Sequence, residues 1–397
     1  MRLRLVLWLL LSVLHYLWTI NLVVACPFCP ALQPTLAQLR DGATVAVLAT
    51  AGKPAEQSAA PSQPFQVFRA LKFPLSGDTI QHFTRTMSPA LPPGTLVFAW
   101  TEDADPASAL WRTRPLSELA AAYAASVPDL RQDAAQRLRW FIPYLEHADP
   151  EIALDAQQEF AHADFATVRE VVPNFDQARL RDWLTDPQVP PEHRGFYGML
   201  AGLACATQSA TQPVDSATPQ ISSGDAALHR EALTRLVWQK RDDFRAGYDG
   251  LLAGYLLAEG EAGLAAIWER ILRQTDAPSG DLRHAASALR FYHEFGPTRQ
   301  QARVETAVAL LLNHPETAAA AITDLGRWKY DAALPRVVAW YRDDRADTPI
   351  RRSVVGYLRS LGSVAARQEL DLLRAQDPAG VAQLEAFFEL KPAGPAK

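Results

Sequence analysis

Along residues 350–373 apolar positions recur every three or four residues, first at Ile350, Val354, Tyr357, Leu358 and Leu361 and then at Ala366, Leu370 and Leu373. That is the period of a helix with one buried face. Pro349 suits a first helical turn, with Asp347 or Thr348 as its cap. Gly362 stops the first helix and Ser363 caps the second. The stretch therefore spells a helical hairpin, whose apolar face needs neighbours of the same kind.

The same signal runs back through the chain. Alanine-rich helix follows Leu116-Ser117-Glu118-Leu119. A second helix covers 131–147, with Leu138, Phe141, Tyr144 and Leu145 inward. Asp149-Pro150 opens a third, with Ile152, Ala156 and Phe160 four apart. Helices are expected at 175–184, 191–205, 226–240, 242–258, 261–273, 281–295, 299–313, 315–326, 332–342 and 378–390. The recurring unit is about 30–40 residues, two helices with a Gly or Asp-Pro break, the length of HEAT or armadillo repeats.

Between 41 and 103 the period falls to two. Val45 and Val47 alternate with small residues; Phe65, Val67, Leu71 and Phe73 mark a second strand; 79–85 and Leu96–Trp100 give two more. Gly, Pro and Ser fill the intervals, which is turn chemistry. Strand signals stop at Ala107. The expected fold is mainly α, a HEAT-like α-solenoid preceded by a small antiparallel β-domain, with an OB- or SH3-like barrel open for the latter. The expected divisions are 1–25, a signal peptide or anchor; 26–40, a cysteine-containing segment; 41–105, the β-domain; 107–206, a first helical segment; 207–224, a polar loop; 225–390, a second helical segment; and 391–397, a disordered tail.

Composition changes this picture little: 397 residues, 48% hydrophobic and 21% charged, are ordinary for a globular chain. A formal net charge of −5 argues against a nucleic-acid binder held by phosphate contacts. Residues 1–25 change it more. Arg2 and Arg4 precede an apolar stretch, and Val23-Val24-Ala25 ends on a small residue before Cys26, the pattern of an export signal. The stretch is also near the ~20 residues that span a bilayer, and Val-Val-Ala-Cys resembles a lipoprotein cleavage box. Simple export, an uncleaved anchor and a lipidated Cys26 all stay open, and each puts the protein outside the cytoplasm.

Candidate chemistry is sparse. Cys26-Pro27-Phe28-Cys29 fits a small disulfide or an anchoring cysteine; a redox pair would want a strand before it and a helix after it, and a zinc site two further ligands. Cys205 lies in an apolar run and reads as a buried, inert thiol. The histidines have no ligand spacing. Asp155 and Glu159, four apart on one helical face, could do acid–base work if burial shifted them, as could Asp242 and Asp249; on a solenoid such acids more often bond a neighbouring repeat. Gly247, Gly250 and Gly254 permit close helix packing. The interleaved Trp and Tyr residues, Trp268 and Trp340 among them, are core at helical spacing or partner anchors on a concave face.

Several strings in this chain go together: A-C-P-F-C-P after the leader, D-A-Q-Q-E-F-A (155–161), D-W-L-T-D-P (182–187), G-F-Y-G-M-L-A-G-L (195–203) and G-Y-D-G-L-L-A-G-Y-L-L (247–257). In these it resembles a family of secreted planctomycete-like proteins with an N-terminal CPFC motif and HEAT-like repeats. The likeness implies no activity and transfers no site residue. The β-segment behind an N-terminal cysteine is also similar to netrin-like inhibitor modules, which carry more cysteines. The functional expectation is an exported, non-enzymatic scaffold with a protein partner, no nucleic acid and no cofactor. The alternatives are a thiol/disulfide redox or metal-binding protein using Cys26 and Cys29, and a membrane-tethered structural protein attached through residues 1–25 or a lipid on Cys26.

Overall fold

The computed structural model describes residues 32–54, 62–73, 80–86, 89–103, 105, 109–209, 220–240 and 245–389. They form 17 α-helices and five strands. The chain divides into two compact units, Met1–Asn174 and Phe175–Lys397.

The first unit is built on an antiparallel sheet of β1 (Val45–Ala51), β2 (Ser62–Lys72), β3 (His82–Thr86), β4 (Leu96–Thr101) and β5 (Arg112–Leu116), in the order β3-β2-β1-β4-β5. Central β1 is buried on both faces, which is why it reads as an almost unbroken apolar string. Val45, Val47, Ala49 and Ala51 point to one side, into a cluster with Phe65, Phe83 and Trp111. The Phe83 ring stacks at 4.9 Å on Phe65 and at 4.2 Å on Trp111. Helices α1 (Leu36–Gly42) and α2 (Glu118–Ala124) pack against the sheet. Then follow α3 (Ala134–Phe141), α4 (Pro150–His162) and α5 (Phe165–Val171), capped by Asp133, Asp149 and Asp164.

Four features differ from the sequence reading, the first being helix α5 (Phe165–Val171), which none of the expected helices covers. Among the described residues no pairing joins β3 to β5, so the sheet is open rather than a closed barrel. The sheet also runs past 105. Strand β5, Arg-Thr-Arg-Pro-Leu, has no apolar alternation, because it is an edge held by its register on β4 (Trp100 opposite Arg112, Leu96 opposite Leu116), where Pro115 is tolerated. Helix α1 was not foreseen: its seven residues follow the N-cap Thr35, whose hydroxyl and the Gln38 side chain form a capping box.

The second unit is helical among its described residues: α6 (Gln177–Thr185), α7 (Pro191–Ser209), α8 (Ser223–Trp238), α9 (Tyr248–Glu259), α10 (Glu261–Ile267) running into a π-helical turn at Trp268–Leu272, α11 (Ser279–Phe295), α12 (Gln301–Leu310), α13 (Pro315–Arg327), α14 (Leu334–Arg342), α15 (Thr348–Leu361), α16 (Val364–Gln376) and α17 (Pro378–Glu389). Alternate helices pack in a row: α7 on α9, α9 on α11, α11 on α13, α13 on α15, α15 on α17. The hairpin at 350–373 forms as its pattern dictates. Asp347 accepts from the Ile350 amide at 2.9 Å, Gly362 takes φ 62°, and Ser363 accepts from Ala366. Ile350, Val354, Tyr357 and Leu358 are buried.

Candidate functional site

Helix α4 carries two stripes. Ile152, Ala156 and Phe160 fill the core, as their spacing predicts. Beside them run Asp155, Gln158, Glu159 and His162, polar residues at i, i+3, i+4 and i+7. The first three are at most 4% exposed. This face grips the chain entering α1. Asp155 Oδ1 accepts from the Leu36 amide at 2.7 Å, and its Oδ2 accepts from the Tyr123 hydroxyl at 2.9 Å. Gln158 accepts from the Gln33 amide at 2.9 Å, and His162 Nε2 lies 2.9 Å from the Gln33 carbonyl oxygen, to which it donates. The Leu36 amide is among the first, otherwise unpaired N–H groups of α1, so a carboxylate there is favoured by hydrogen bonding and by the helix dipole together.

Glu159 is held differently. Its Oε2 accepts from the Arg137 guanidinium, 13% exposed. Glu159 Oε1 and Arg137 Nε, both buried, have no hydrogen bond. The two side chains help line a cavity of about 200 Å³ with Leu138, His162 and Thr167. Burial pushes the Asp155 carboxyl up to about 6; the Leu36 amide works against this, and the negative charge of Glu159 adds to it. Burial also raises Glu159, opposed by Thr35 and Arg137. The Tyr123 hydroxyl is raised by burial and by Asp155. The arrangement can read backbone amides, cap a helix and hold a proton.

A second concavity lies in the helical unit. A groove of about 450 Å³ between α10 and α12 has Leu264, Ala265, Trp268 and Thr306 along it, with Glu261, Arg303 and Glu269 at its rim. Glu261 pairs with Arg303, and Glu269 with Arg273 at 3.1 Å.

Among the described residues the other sequence candidates do not assemble. Cys26 and Cys29 lie outside the described residues, as does Asp242. Asp249 sits 3.7 Å from His284. Cys205 is buried, its Sγ 3.3 Å from the Ala226 carbonyl oxygen, and burial raises its thiol to about 11. The histidines are dispersed: His147 Nδ1 accepts from the Asp149 amide, His229 bonds Gln177 and His293 bonds Glu305. Among the described residues no three His, Cys, Asp or Glu side chains could hold a metal together. No described helix is long and apolar enough to cross a membrane.

Sequence reasoning found Asp155 and Glu159 but missed Tyr123, Arg137, Gln158 and the backbone they grip. The usable signal was the run Asp155-Ala-Gln-Gln-Glu159 in a helix that also shows an inward apolar stripe, which leaves too little surface for all its polar residues. Comparison with family models, with curated proteins and with solved structures finds no match to this chain.

Proposed function

We propose that this chain is a non-enzymatic binding protein, its helical unit a HEAT-like solenoid that presents a partner surface. The observation carrying the reading is the row of alternate helices from α7 to α17, each packed on the next but one. Layered helical pairs of this kind stack repeats that contact only their neighbours and leave long faces free for partners. The Trp268 groove supports it further: tryptophan and arginine dominate binding energy at protein interfaces, and this groove carries Trp268 and Arg303 over an apolar floor. The partner class we propose is protein. We also propose that the protein works outside the cytoplasm, exported or held through residues 1–25 or a lipid on Cys26.

A photoreactive amino acid at Ala265, in the chain expressed in its own host, tests the binding reading. One discrete adduct that disappears with Trp268→Ala supports it. Absence of an adduct at Ala265, or an adduct indifferent to Trp268→Ala, overturns the groove as the surface. The intact mass of the native protein decides its mode of attachment, because cleavage and lipid each change it by a fixed amount.

A further inference from the structure

Helix α4 buries two carboxylates one turn apart and gives them one close cation. Asp155 faces the Leu36 amide, the Tyr123 hydroxyl, Glu159 and, at longer range, Arg114. Arg114 is committed to Glu151, its guanidinium 2.6 Å from that carboxylate. Glu159 faces Arg137, Thr35 and His162. His162 is committed to the Gln33 carbonyl. Among the described residues Arg137 is thus the only guanidinium bonded to the pair. Two like charges sharing a buried site cannot both ionise freely, and the proton they retain belongs to the pair. The hydrogen bonds point the same way. Both oxygens of Asp155 accept from donors, but buried Glu159 Oε1 accepts from none. Thr35 stands beside Glu159, and a protonated Glu159 can donate to its hydroxyl.

We propose that Asp155 and Glu159 share one proton in the folded protein, and that this proton tightens the grip of α4 on residues 33–36. The grip is a pH-responsive clamp on the segment that follows residues 1–31. The shared proton leaves as pH rises, the second negative charge appears in the buried site, and the bonds to Leu36 and Gln33 open more often. This inference stands apart from the binding role of the helical unit and would survive its failure.

The test uses the full chain with 13C-labelled Asp and Glu side chains. Expected is a carboxyl titration above the ordinary carboxylate range, coupled between two residues: removing one carboxylate, by Asp155→Asn or Glu159→Gln, lowers the other part of the way, burial keeping it above the ordinary range. Amide exchange gives the second readout. Corrected for intrinsic rate, protection of the Leu36 amide should fall by up to about tenfold per pH unit between about pH 4 and pH 6, the slope of one proton. The slope should shrink and move to lower pH in Glu159→Gln, where burial alone still raises Asp155. A purely structural pair would lose stability on substitution without changing that slope. Two carboxyls titrating at or below about 4 in the unsubstituted chain, the ordinary range for these groups, would overturn the proposal. So would a slope of unchanged size and position in Glu159→Gln. The titration of the unsubstituted chain decides even if both variants fail to fold.

Discussion

A side chain on Gly254 would fall on the carbonyl oxygen of Gly198 across the interface of α7 and α9. The contact is one of a series. Gly250 meets the Gly195 backbone, Gly202 meets Gly254, and a Cβ on Gly198 would come within 3.0 Å of Leu251 Cα. Small residues three and four apart on both helices let the two backbones touch, the geometry of small-residue helix pairs. Gly254→Ala should therefore destabilise by about 1–3 kcal/mol or more, the range for overpacking a filled core. Gly280→Ala, where a Cβ meets nothing within 4 Å, should be neutral or stabilise by up to about 1 kcal/mol, because glycine costs entropy in a helix. Urea unfolding of the two variants measures the contrast, and equal effects would mean that the helices can separate at no cost.

This interface shows what the chain's pattern makes legible. The spacing of Gly247, Gly250 and Gly254 announced close packing, and the partner glycines Gly195, Gly198 and Gly202 stand in the other helix. Some helix starts were legible, as at Asp149-Pro150 and Asp377-Pro378, since capping is local chemistry. Strand β5 was not, because its residues are held by β4 rather than by a pattern of their own. Helix α1 was hidden for the same reason: seven residues carry little periodicity, and its N-terminus is fixed by Asp155, 119 residues away. The buried site was half legible. The acids were visible at i and i+4, but their burial depends on Arg137 and Tyr123 from other helices, and no local signal reports that meeting.

His229 should make the helical unit sensitive to acid in a range where the clamp tightens. Its Nε2 lies 2.9 Å from Gln177 Oε1. The Gln177 amide nitrogen donates to the Phe175 carbonyl, so Oε1 is the atom facing the ring and Nε2 carries the proton. The buried Nδ1 has no hydrogen bond. Burial, then the charge of Arg181, depresses this histidine to about 4. The unfolded chain binds the proton near 6.5 and the folded chain does not. Stability is therefore full above about pH 6.5 and falls, by up to about tenfold per pH unit in the folding equilibrium, as pH drops to about 4. Exchange of amides in α8 measures it. His229→Gln should flatten the dependence, and a slope that survives the substitution assigns it to another group.

Cys205 should be inert. It is fully buried and its thiol is raised to about 11, so almost none of it is thiolate at neutral pH. In the folded chain an alkylating reagent at pH 8 should leave Cys205 unlabelled for as long as the unit stays closed, and denaturant should expose it in one step. Mass spectrometry locates the label. Rapid native labelling at Cys205 would mean that α7 opens locally, against its glycine-tight packing on α9.

Asp324 and Arg290 bind α13 to α11, two successive members of the alternate-helix row. Arg290 Nε lies 2.8 and 2.9 Å from the two carboxylate oxygens, and a terminal nitrogen lies 2.8 Å from Oδ2. Asp324 is nearly inaccessible, whereas the arginine keeps about a third of its side chain in solvent. The aspartate therefore bears the larger desolvation penalty, and removing its partner leaves a buried charge. Arg290→Ala should cost about 1.5–3 kcal/mol, the range for hydrogen bonds to charged groups. Arg290→Met with Asp324→Leu should cost less than either alanine variant alone, because an apolar pair removes the unmet charge along with the bond. A double-mutant cycle with alanine at both positions should give a coupling of about 1–3 kcal/mol. Additive alanine costs would show that the two side chains are neighbours without mutual stabilisation.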